Sequence, residues 1–412
     1  MRRNLGIVVT LFVVAGLAAA HLPGQAAREA GGGALPGAQA VIDAAQYASL
    51  QAALDAVPET GGVVRLPPGH FEITEPLVIR TGDVTLEGAG GSTHIENINE
   101  AGAPALILAH PDAKPGQANR KLELWRIRLA DFRITGNEKS GNGIEARAIN
   151  EIFVDGVTIS YHGGHGLLLD YCYEDPRISD SLITYNKDVG VKLMGCHDIV
   201  VSSNQFEEND DGLHCFDGFN LTMTGNNLDD HLGRGVVVEN TYGSVLSGNM
   251  IEECAGAAIV LDRDCYGTTL SANVIAHNGS GIELVDAHGC AVSANTFTLM
   301  KTRALWVGPL SGRIAVSGNS FCNSYIGEGK VRRRVDDLAA SGVVLSGENV
   351  AVTGNVFSSV TPHAVALEGK PRGTIFANNL LVDVKSQHEQ LAESLVVDNL
   401  VRGSQVEAAT PK

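Results

Sequence analysis

The sequence is poor in positive charge. It contains 30 Lys and Arg residues against 47 Asp and Glu residues, which gives a formal net charge of −17. A balance this acidic argues against binding to nucleic acids and to anionic membranes, because both are polyanions. It also opposes binding of an acidic glycan, unless a cation bridges the two or the basic side chains are concentrated at one place.

Cysteine is scarce and follows no metal-binding pattern. The seven cysteines stand at positions 172, 196, 215, 254, 265, 290 and 322, and we interpret them as small buried apolar residues. Cys172 and Cys196 occupy the same place in neighbouring repeats. A disulfide between them is therefore an alternative in an oxidising compartment, although an odd total leaves at least one thiol unpaired.

Long apolar runs are missing except at the start of the chain. Arg2 and Arg3 precede an apolar run from Leu5 to Ala20, which is too short for a typical spanning helix and ends in small residues. We expect residues 1–20 to be a signal peptide, with an uncleaved anchor as the alternative, and residues 21–40 to be a linker rich in Gly, Ala and Pro. The protein is therefore predicted to be secreted or periplasmic, with no membrane contact after cleavage.

What the sequence does contain is a repeat. A three-residue signature that ends in asparagine recurs at steps of 22 to 24 residues through its first six copies, and a fixed period of this size is typical of a solenoid. The copies end at Asn204, Asn226, Asn249, Asn273, Asn295, Asn319, Asn355 and Asn379. We expect asparagine to tolerate a left-handed turn and to bond to its copy in the next coil.

A short strand precedes each signature and alternates at period two. Apolar residues such as Val191 and Leu193 are predicted to face inward, and the residue between them to face outward. The outward column reads Glu145, Leu168, Lys192, His214, Val237, Val260, Glu283, Trp306, Val344 and Ala366. Three strands per coil predict an all-β fold, a right-handed parallel β-helix of ten or more coils. A β-sandwich or propeller fits the spacing less well.

The coils divide the remainder of the chain. We assign residues 41–118 to an N-terminal cap and first coils, 119–385 to the β-helix repeats, and 386–412 to a C-terminal cap and disordered tail, and we expect a monomer. One step, from Ala304 to Gly342, is longer than the others. Its extra residues, 325–337, include three consecutive arginines and predict either a loop that shapes a binding face or a mobile surface loop.

The N-terminal part carries a family resemblance. Residues 47–57 predict a short amphipathic helix with Ser49 near its start, and residues 61–71 (GGVVRLPPGHF) and 82–90 (GDVTLEGAG) predict the strands that follow. This order resembles the opening of the pectate-lyase-like β-helix superfamily. The resemblance implies the same solenoid fold. We expect the helix to cap the open N-terminal end of the apolar column, which otherwise exposes core and strand edge.

Titratable residues gather at the start of the same strand in three successive coils. If the coils stack in register, these residues lie on one wall and face solvent, where donors and acceptors can shift each other's pKa as acid–base catalysis requires. We call this set the polar patch; its members are Asp188, Lys192, Asp210, Asp211, His214, His231 and Arg234.

The polar patch is similar in part to the polygalacturonase group of glycoside hydrolases. Asp188, Asp210, Asp211 and His231 fall at steps that match that family's motifs, but Lys187 replaces a threonine and the family's basic triplet is missing. The resemblance implies hydrolysis, in which Asp210 or Asp211 protonates the leaving oxygen and the partner carboxylate activates water.

We expect a protein that cleaves an acidic, uronate-containing polysaccharide, by hydrolysis or by β-elimination. Two alternatives to hydrolysis stay open. A polysaccharide lyase or C5-epimerase would use Lys192 or His214 as base, with Arg234 or a bound Ca²⁺ neutralising the uronate carboxylate. A non-catalytic glycan-binding or structural β-helix is the other alternative. Additional substrate contacts are expected at Asp230, Glu239 and Trp306. A further group of carboxylates could hold calcium or be solvated acids without an ion, at Asp262, Asp264 and Asp286.

Overall fold

Three parallel sheets wind into one right-handed β-helix. The computed structural model describes residues 37–323 and 339–403. Each coil contributes a strand to sheet 1, then to sheet 2, then to sheet 3, and every ladder in the three sheets is parallel. The fourteen strands of sheet 3 correspond to about fourteen coils. The predicted fold class is therefore confirmed.

Sheet 1 carries Lys192 and His214 of the polar patch on its outer face. Its strands are Leu77–Ile79, Leu106–Leu108, Ile144–Arg147, Leu167–Asp170, Val191–Met194, Leu213–Phe216, Val236–Glu239, Ala257–Asp262, Ser280–Leu284, Arg303–Val307, Ser341–Leu345 and Val365–Leu367.

Sheets 2 and 3 close the other two sides. The strands of sheet 2 are Ala40–Asp43, Gly62–Arg65, Val84–Glu87, Leu124–Ala130, Ile149–Asp155, Arg177–Ser179, Val200–Ser202, Thr222–Thr224, Val245–Ser247, Cys265–Tyr266, Thr269–Ser271, Ala287–His288, Ala291–Ser293, Gly312–Ser317, Glu348–Thr353, Ile375–Ala377 and Leu395–Val397. Those of sheet 3 are Gly69–Ile73, Thr93–Asn97, Arg133–Thr135, Thr158–Ser160, Leu182–Thr184, Gln205–Glu207, Asn227–Asp229, Met250–Glu252, Val274–Ala276, Thr296–Thr298, Ser320–Cys322, Val356–Ser358, Leu380–Val382 and Leu400–Arg402.

Identical residue types stack along the interior because the coils repeat in register. Phe297, Phe321 and Phe357 stack with ring centroids 4.7 and 4.8 Å apart, the spacing of neighbouring strands. Cys172 and Cys196 are buried thiols in the same column, without a disulfide. Six of the seven cysteines are buried, as predicted, and Cys322 is partly exposed.

The asparagine signature forms a buried ladder between sheets 2 and 3. The Nδ2 of Asn226 donates to Oδ1 of Asn249 at 2.9 Å, and its backbone N–H donates to the same oxygen at 3.1 Å. The ladder of side-chain bonds continues to Asn399. The left-handed residue is the one before each asparagine, such as Ser203 at φ 59° and Gly225 at φ 65°, which corrects the expected role of asparagine in the turn. The asparagines themselves supply the bonds.

The N-terminal end has the predicted helix. It spans Leu50–Asp55, and the Ser49 side chain accepts a hydrogen bond from the N–H of Ala52, the usual capping arrangement. Four 3₁₀ turns complete the helical elements of the described residues: Ala44–Gln46, Gly90–Ser92, Arg120–Leu122 and His388–Gln390.

The other end continues the solenoid further than the repeat suggested. Strands Leu395–Val397 and Leu400–Arg402 add another partial coil within the region assigned to a C-terminal cap. The assigned signal peptide, most of the linker, the tail after residue 403 and the arginine-containing loop at 325–337 lie outside the described residues. Within the described ranges, no helix is long and apolar enough to cross a membrane.

Candidate functional site

The outward side chains of sheet 1 lie in the predicted register. Lys192 pairs with Leu168 on one side and with His214 on the other, and His214 pairs with Val237. Side chains one coil apart along the chain are therefore vertical neighbours. Val237 and Val260 point outward but are buried, at 0% and 6% exposure. They pack together in a small apolar cluster outside the main core.

A hydrogen-bonded path joins three successive coils at this face. Nζ of Lys192 donates to Nδ1 of His214 at 2.7 Å, and Nε2 of His214 donates to Oε2 of Glu239 at 2.9 Å. A lysine that donates to Nδ1 and a carboxylate that accepts from Nε2–H together define the neutral imidazole tautomer. Arg263 continues the path, with Nε 3.3 Å from Oε1 of Glu239.

The surroundings of Lys192 and His214 favour the less charged form of each side chain. Burial lowers the pKa of Lys192, although Glu239, Asp188 and Asp211 oppose the shift. Burial and the Lys192 charge lower the pKa of His214, against the opposing effect of Glu239. The lysine and the imidazole therefore share one positive charge rather than carry two near neutral pH.

Asp188 and Asp210 occupy the wall beside this path. Oδ2 of Asp188 lies 3.3 Å from Nδ1 of His165, a residue that the sequence analysis did not include. Burial lowers the pKa of His165, and Asp188 opposes that shift. Burial, followed by the charges of Asp211 and Asp188, raises the pKa of Asp210. These two carboxylates are accessible: Asp210 is exposed, and the Asp188 side chain is 51% exposed.

Asp211 has a structural position that the sequence did not predict. It is 4% exposed and accepts three hydrogen bonds from Arg234, from the backbone N–H at 2.7 Å, from Nε at 3.1 Å and from Nη2 at 2.7 Å. The prediction that Asp211 faces solvent is therefore wrong. Its carboxylate fixes the turn and orients the guanidinium, which is 43% exposed at the site.

His231 does not belong to the accessible wall. It is 1% exposed, and its Nδ1 accepts from the N–H of Asn209, which places it in a second buried ladder with Asn186 and Asn209. Burial lowers its pKa to about 4. The assignment of a catalytic role to His231 does not fit this location, because the ring faces the interior.

Asp230 lies on the far side of the same turn. It adjoins strand Asn227–Asp229 of sheet 3 and clusters with Asp229 and Glu253, with one carboxylate oxygen of each within 4.8 Å of the others. Burial and the neighbouring acids raise the pKa of Asp229 to about 6. Asp230 is thus separated from Lys192 by the buried ladder and does not share the sheet 1 face.

Trp306 stands four strands beyond His214 in the same outward column, or ~19 Å at the usual strand spacing. The Arg303 guanidinium covers its ring at 4.2 Å, and its Nε1 donates to Oγ of Ser346 at 3.2 Å. Trp306 therefore lies apart from the acid–base group.

The three acids considered for calcium do not converge. Asp264 donates its N–H to Oδ2 of Asp286 at 3.0 Å, and Nε2 of His288 lies 3.1 Å from Oδ1 of Asp286, whereas Asp262 accepts from the N–H of Arg263. Among residues 37–323 and 339–403, the one set of three ligand atoms close enough for a single ion is Asp229, Asp230 and Glu253.

Comparisons with known proteins agree with this fold. Residues 130–302 match the family model described as periplasmic copper-binding protein (NosD). No curated protein sequence is significantly similar to the chain.

Solved structures resemble it at low sequence identity. The A-module of mannuronan C-5 epimerase AlgE6 from Azotobacter vinelandii is 16% identical, with 90% of this chain and 100% of that chain covered and a TM-score of 0.51. A mutant of the periplasmic alginate epimerase AlgG is 12% identical, with coverage of 88% and 83% and a TM-score of 0.55. Tailspike protein 3 of bacteriophage CBA120 is 11% identical, with coverage of 76% and 56% and a TM-score of 0.52. These likenesses confirm the right-handed parallel β-helix fold.

Proposed function

We propose that this protein acts on a uronate-containing polysaccharide and removes the proton at C5 of a uronate, with Lys192 as the base. The observation that supports this most directly is the continuous path from Lys192 through His214 to Glu239. A base of this kind must be neutral when substrate binds. His214 makes that possible because it can take the lysine proton at Nδ1 while Glu239 stabilises the resulting imidazolium.

Two arginines beside the path are placed to stabilise the negative charge that develops on the substrate. Abstraction of the C5 proton places a second negative charge on the uronate carboxylate, and fixed cations stabilise such charge. Asp211 orients Arg234 and Glu239 orients Arg263, and both guanidinium groups remain partly exposed, at 43% and 62%. They supply the local positive charge that an acidic glycan needs on a chain of net charge −17.

We expect β-elimination as the outcome. The electron pair from the C5–H bond forms the C4–C5 double bond, and the C4–O bond to the next sugar breaks. The leaving oxygen needs a proton, and Asp210, whose pKa is raised by burial and by Asp211 and Asp188, is suited to provide it. Return of a proton to C5 from the opposite face would instead give epimerisation, the reaction in the names of two similar structures.

Hydrolysis is the second candidate. It is favoured by the two accessible carboxylates, since Asp210 with its raised pKa could act as acid and Asp188 as base. Under this alternative Lys192 and His214 would bind substrate without transferring protons.

The compartment and the metal content follow from the same proposal. We propose that the protein is exported, in agreement with the apolar run at residues 5–20 and with the periplasmic description of the matched family. Asp229, Asp230 and Glu253 offer oxygen ligands, which suit calcium rather than copper.

The test is a panel of uronate polysaccharides with Lys192→Met and a matched control, Lys139→Met. Lys139 is exposed and pairs only with Glu100 among the described residues. We expect an unsaturated product from the wild type, a loss of ~10²–10⁴-fold in rate for Lys192→Met, and no change for the control. For an assay in deuterated water, deuterium at C5 of the product without cleavage of the polymer would indicate epimerisation. New reducing ends without an unsaturated product would indicate hydrolysis. Binding without turnover would establish the non-catalytic alternative.

A further inference from the structure

One long connection leaves the ordinary path of the coils. After strand Leu106–Leu108 the chain runs through residues 109–123 before it enters sheet 2 at Leu124, whereas the equivalent turn three coils later is residues 195–199. We call residues 109–123 the strap. The backbone N–H of Gly116 donates to Oδ2 of Asp170 at 2.6 Å, and the Arg120 guanidinium lies 5.6 Å from the centre of the Tyr173 ring. The strap therefore reaches two coils toward the C-terminal end.

Asp170 shows that the strap covers sheet 1. It faces outward at the position that Met194, Phe216, Glu239 and Asp262 occupy in the next four coils. Those four residues are partly exposed, whereas Asp170 is only 4% exposed. Since the coils share one geometry, the difference comes from the chain that lies above Asp170.

The strap passes the intervening strand Ile144–Arg147, whose outward side chains Glu145 and Arg147 form an ion pair. Lys192 stands on the strand after Asp170 and pairs with Leu168. The proposed base is therefore the next outward position on the C-terminal side of the strap.

We propose, resting on the proposed function, that the strap closes the N-terminal end of the sheet 1 face, so that an acidic polysaccharide reaches Lys192 with one of its ends rather than with an interior segment. A polymer that lies along the face from the Trp306 side must stop where the strap stands. The strap also carries Lys114 and Lys121, both exposed and without an ion pair among the described residues. These cations suit the terminal carboxylate of a uronate chain.

Asp170 is the residue that holds the strap in place. Its Oδ2 makes a charge-assisted hydrogen bond to Gly116, while its Oδ1 is buried without a partner. A buried carboxylate with half of its bonding capacity unused is costly for the fold alone. The hydrogen bond to the strap offsets part of this cost.

The first experiment measures the strap without any substrate. Hydrogen exchange is followed by mass spectrometry in the wild type and in Asp170→Ala, with Asp155→Ala as the matched control, because Asp155 binds Arg128 on sheet 2 away from the strap. We expect exchange at residues 109–123 to rise at least tenfold in Asp170→Ala and to stay unchanged in the control, with residues 191–239 protected in both. Unchanged exchange in the strap would overturn the assigned role of Asp170.

The second experiment compares oligouronides with free ends against the same oligouronides with bulky groups on both ends. Binding is measured for the wild type and for a variant in which residues 111–118 are replaced by two glycines, which leaves Asp170 intact. We expect the wild type to bind blocked chains at least tenfold more weakly than free chains, and the shortened variant to bind both equally.

Two results are distinguishable in this design. Equal binding of free and blocked chains by the wild type would overturn the strap proposal while leaving the proposed function standing. If neither protein bound any oligouronide, the proposed function would fail, and so would the strap's role at chain ends.

Discussion

At the scale of single residues, the contacts of Asp211 indicate a structural role rather than the predicted catalytic one. It is buried and accepts three hydrogen bonds from Arg234. The variant Asp211→Asn removes the negative charge to which those donors bind. We expect this variant to lose about 2 kcal/mol of unfolding free energy, discounted because the arginine is partly exposed. Urea denaturation measures the loss. A variant as stable as the wild type would mean that the turn does not depend on this pair.

His231 predicts a pH dependence of stability. Its folded pKa of about 4 lies below the ordinary value of 6.5, so the unfolded chain binds more protons between these values and stability falls as pH drops through them. The expected cost of His231 on going from pH 7 to pH 5 is about 2 kcal/mol.

The variant His231→Asn tests this cost. Asparagine is the residue at the neighbouring rungs Asn186 and Asn209, so it can accept the Asn209 N–H without a titrating group. We expect the variant to lose about 2 kcal/mol less than the wild type between pH 7 and pH 5 in chemical denaturation. Equal losses in the two proteins would refute the buried, neutral state of His231.

The acid–base residues also predict the pH dependence of turnover. Lys192 must be neutral to accept the C5 proton, and His214 must accept the lysine proton, so a second proton on the pair stops the reaction. The pKa of His214 is lowered by burial and by Lys192, and we therefore expect the acidic limb of the rate profile to lie below the ordinary histidine value. An acidic limb above pH 7 would contradict this arrangement.

At the scale of strands and turns, the asparagine ladder carries much of the stability between sheets 2 and 3. Asn249 accepts two bonds from Asn226 and donates to Met223 and Asn273. Asn249→Ala would leave the buried N–H of Asn226 without an acceptor, and we expect a loss of about 2–4 kcal/mol.

Ser247 on the same turn provides the control. It is partly exposed, and its hydroxyl accepts one bond, from Ser271. Ser247→Ala should cost less than about 1 kcal/mol in the same denaturation experiment. Similar losses for the two variants would mean that the turn tolerates loss of the ladder.

The sequence predicted the elements that repeat and missed those that do not. Lys192 and His214 were placed correctly on sheet 1 because period-two alternation and a coil step of about 22 residues determine both orientation and register. Asp211 and His231 were assigned to the surface because turn residues do not alternate between buried and exposed positions. The sequence pattern therefore does not indicate which turn residues are buried. The spacing of His231 from Asn186 and Asn209 could have indicated the second ladder.

The strap could not be predicted from the sequence repeat, for a different reason. The bond between Gly116 and Asp170 joins residues 54 positions apart through a segment without periodicity. No pattern in the sequence pairs two such residues, and the contact between them is seen only in the structure.

At the scale of the whole molecule, the solenoid should be least stable at its C-terminal end. Val396 and Val401, which continue interior columns, are 39% and 43% exposed, whereas the equivalent Val201 and Phe206 are buried. Each coil is stabilised mainly by its neighbours, so a terminal coil has half of the contacts. We expect hydrogen exchange at residues 395–402 to be much faster than at residues 200–229. Uniform protection along the chain would contradict this gradient.

The most direct measurement follows the His214 ring by NMR through a pH titration, in the wild type, in Lys192→Met and in the control Lys139→Met. Removal of the adjacent lysine charge takes away one cause of the low His214 pKa. We predict a His214 pKa below 6.5 in the wild type and the control, and a higher value in Lys192→Met. An identical pKa in all three proteins would show that Lys192 and His214 do not meet across neighbouring coils, and the proposed site would be lost.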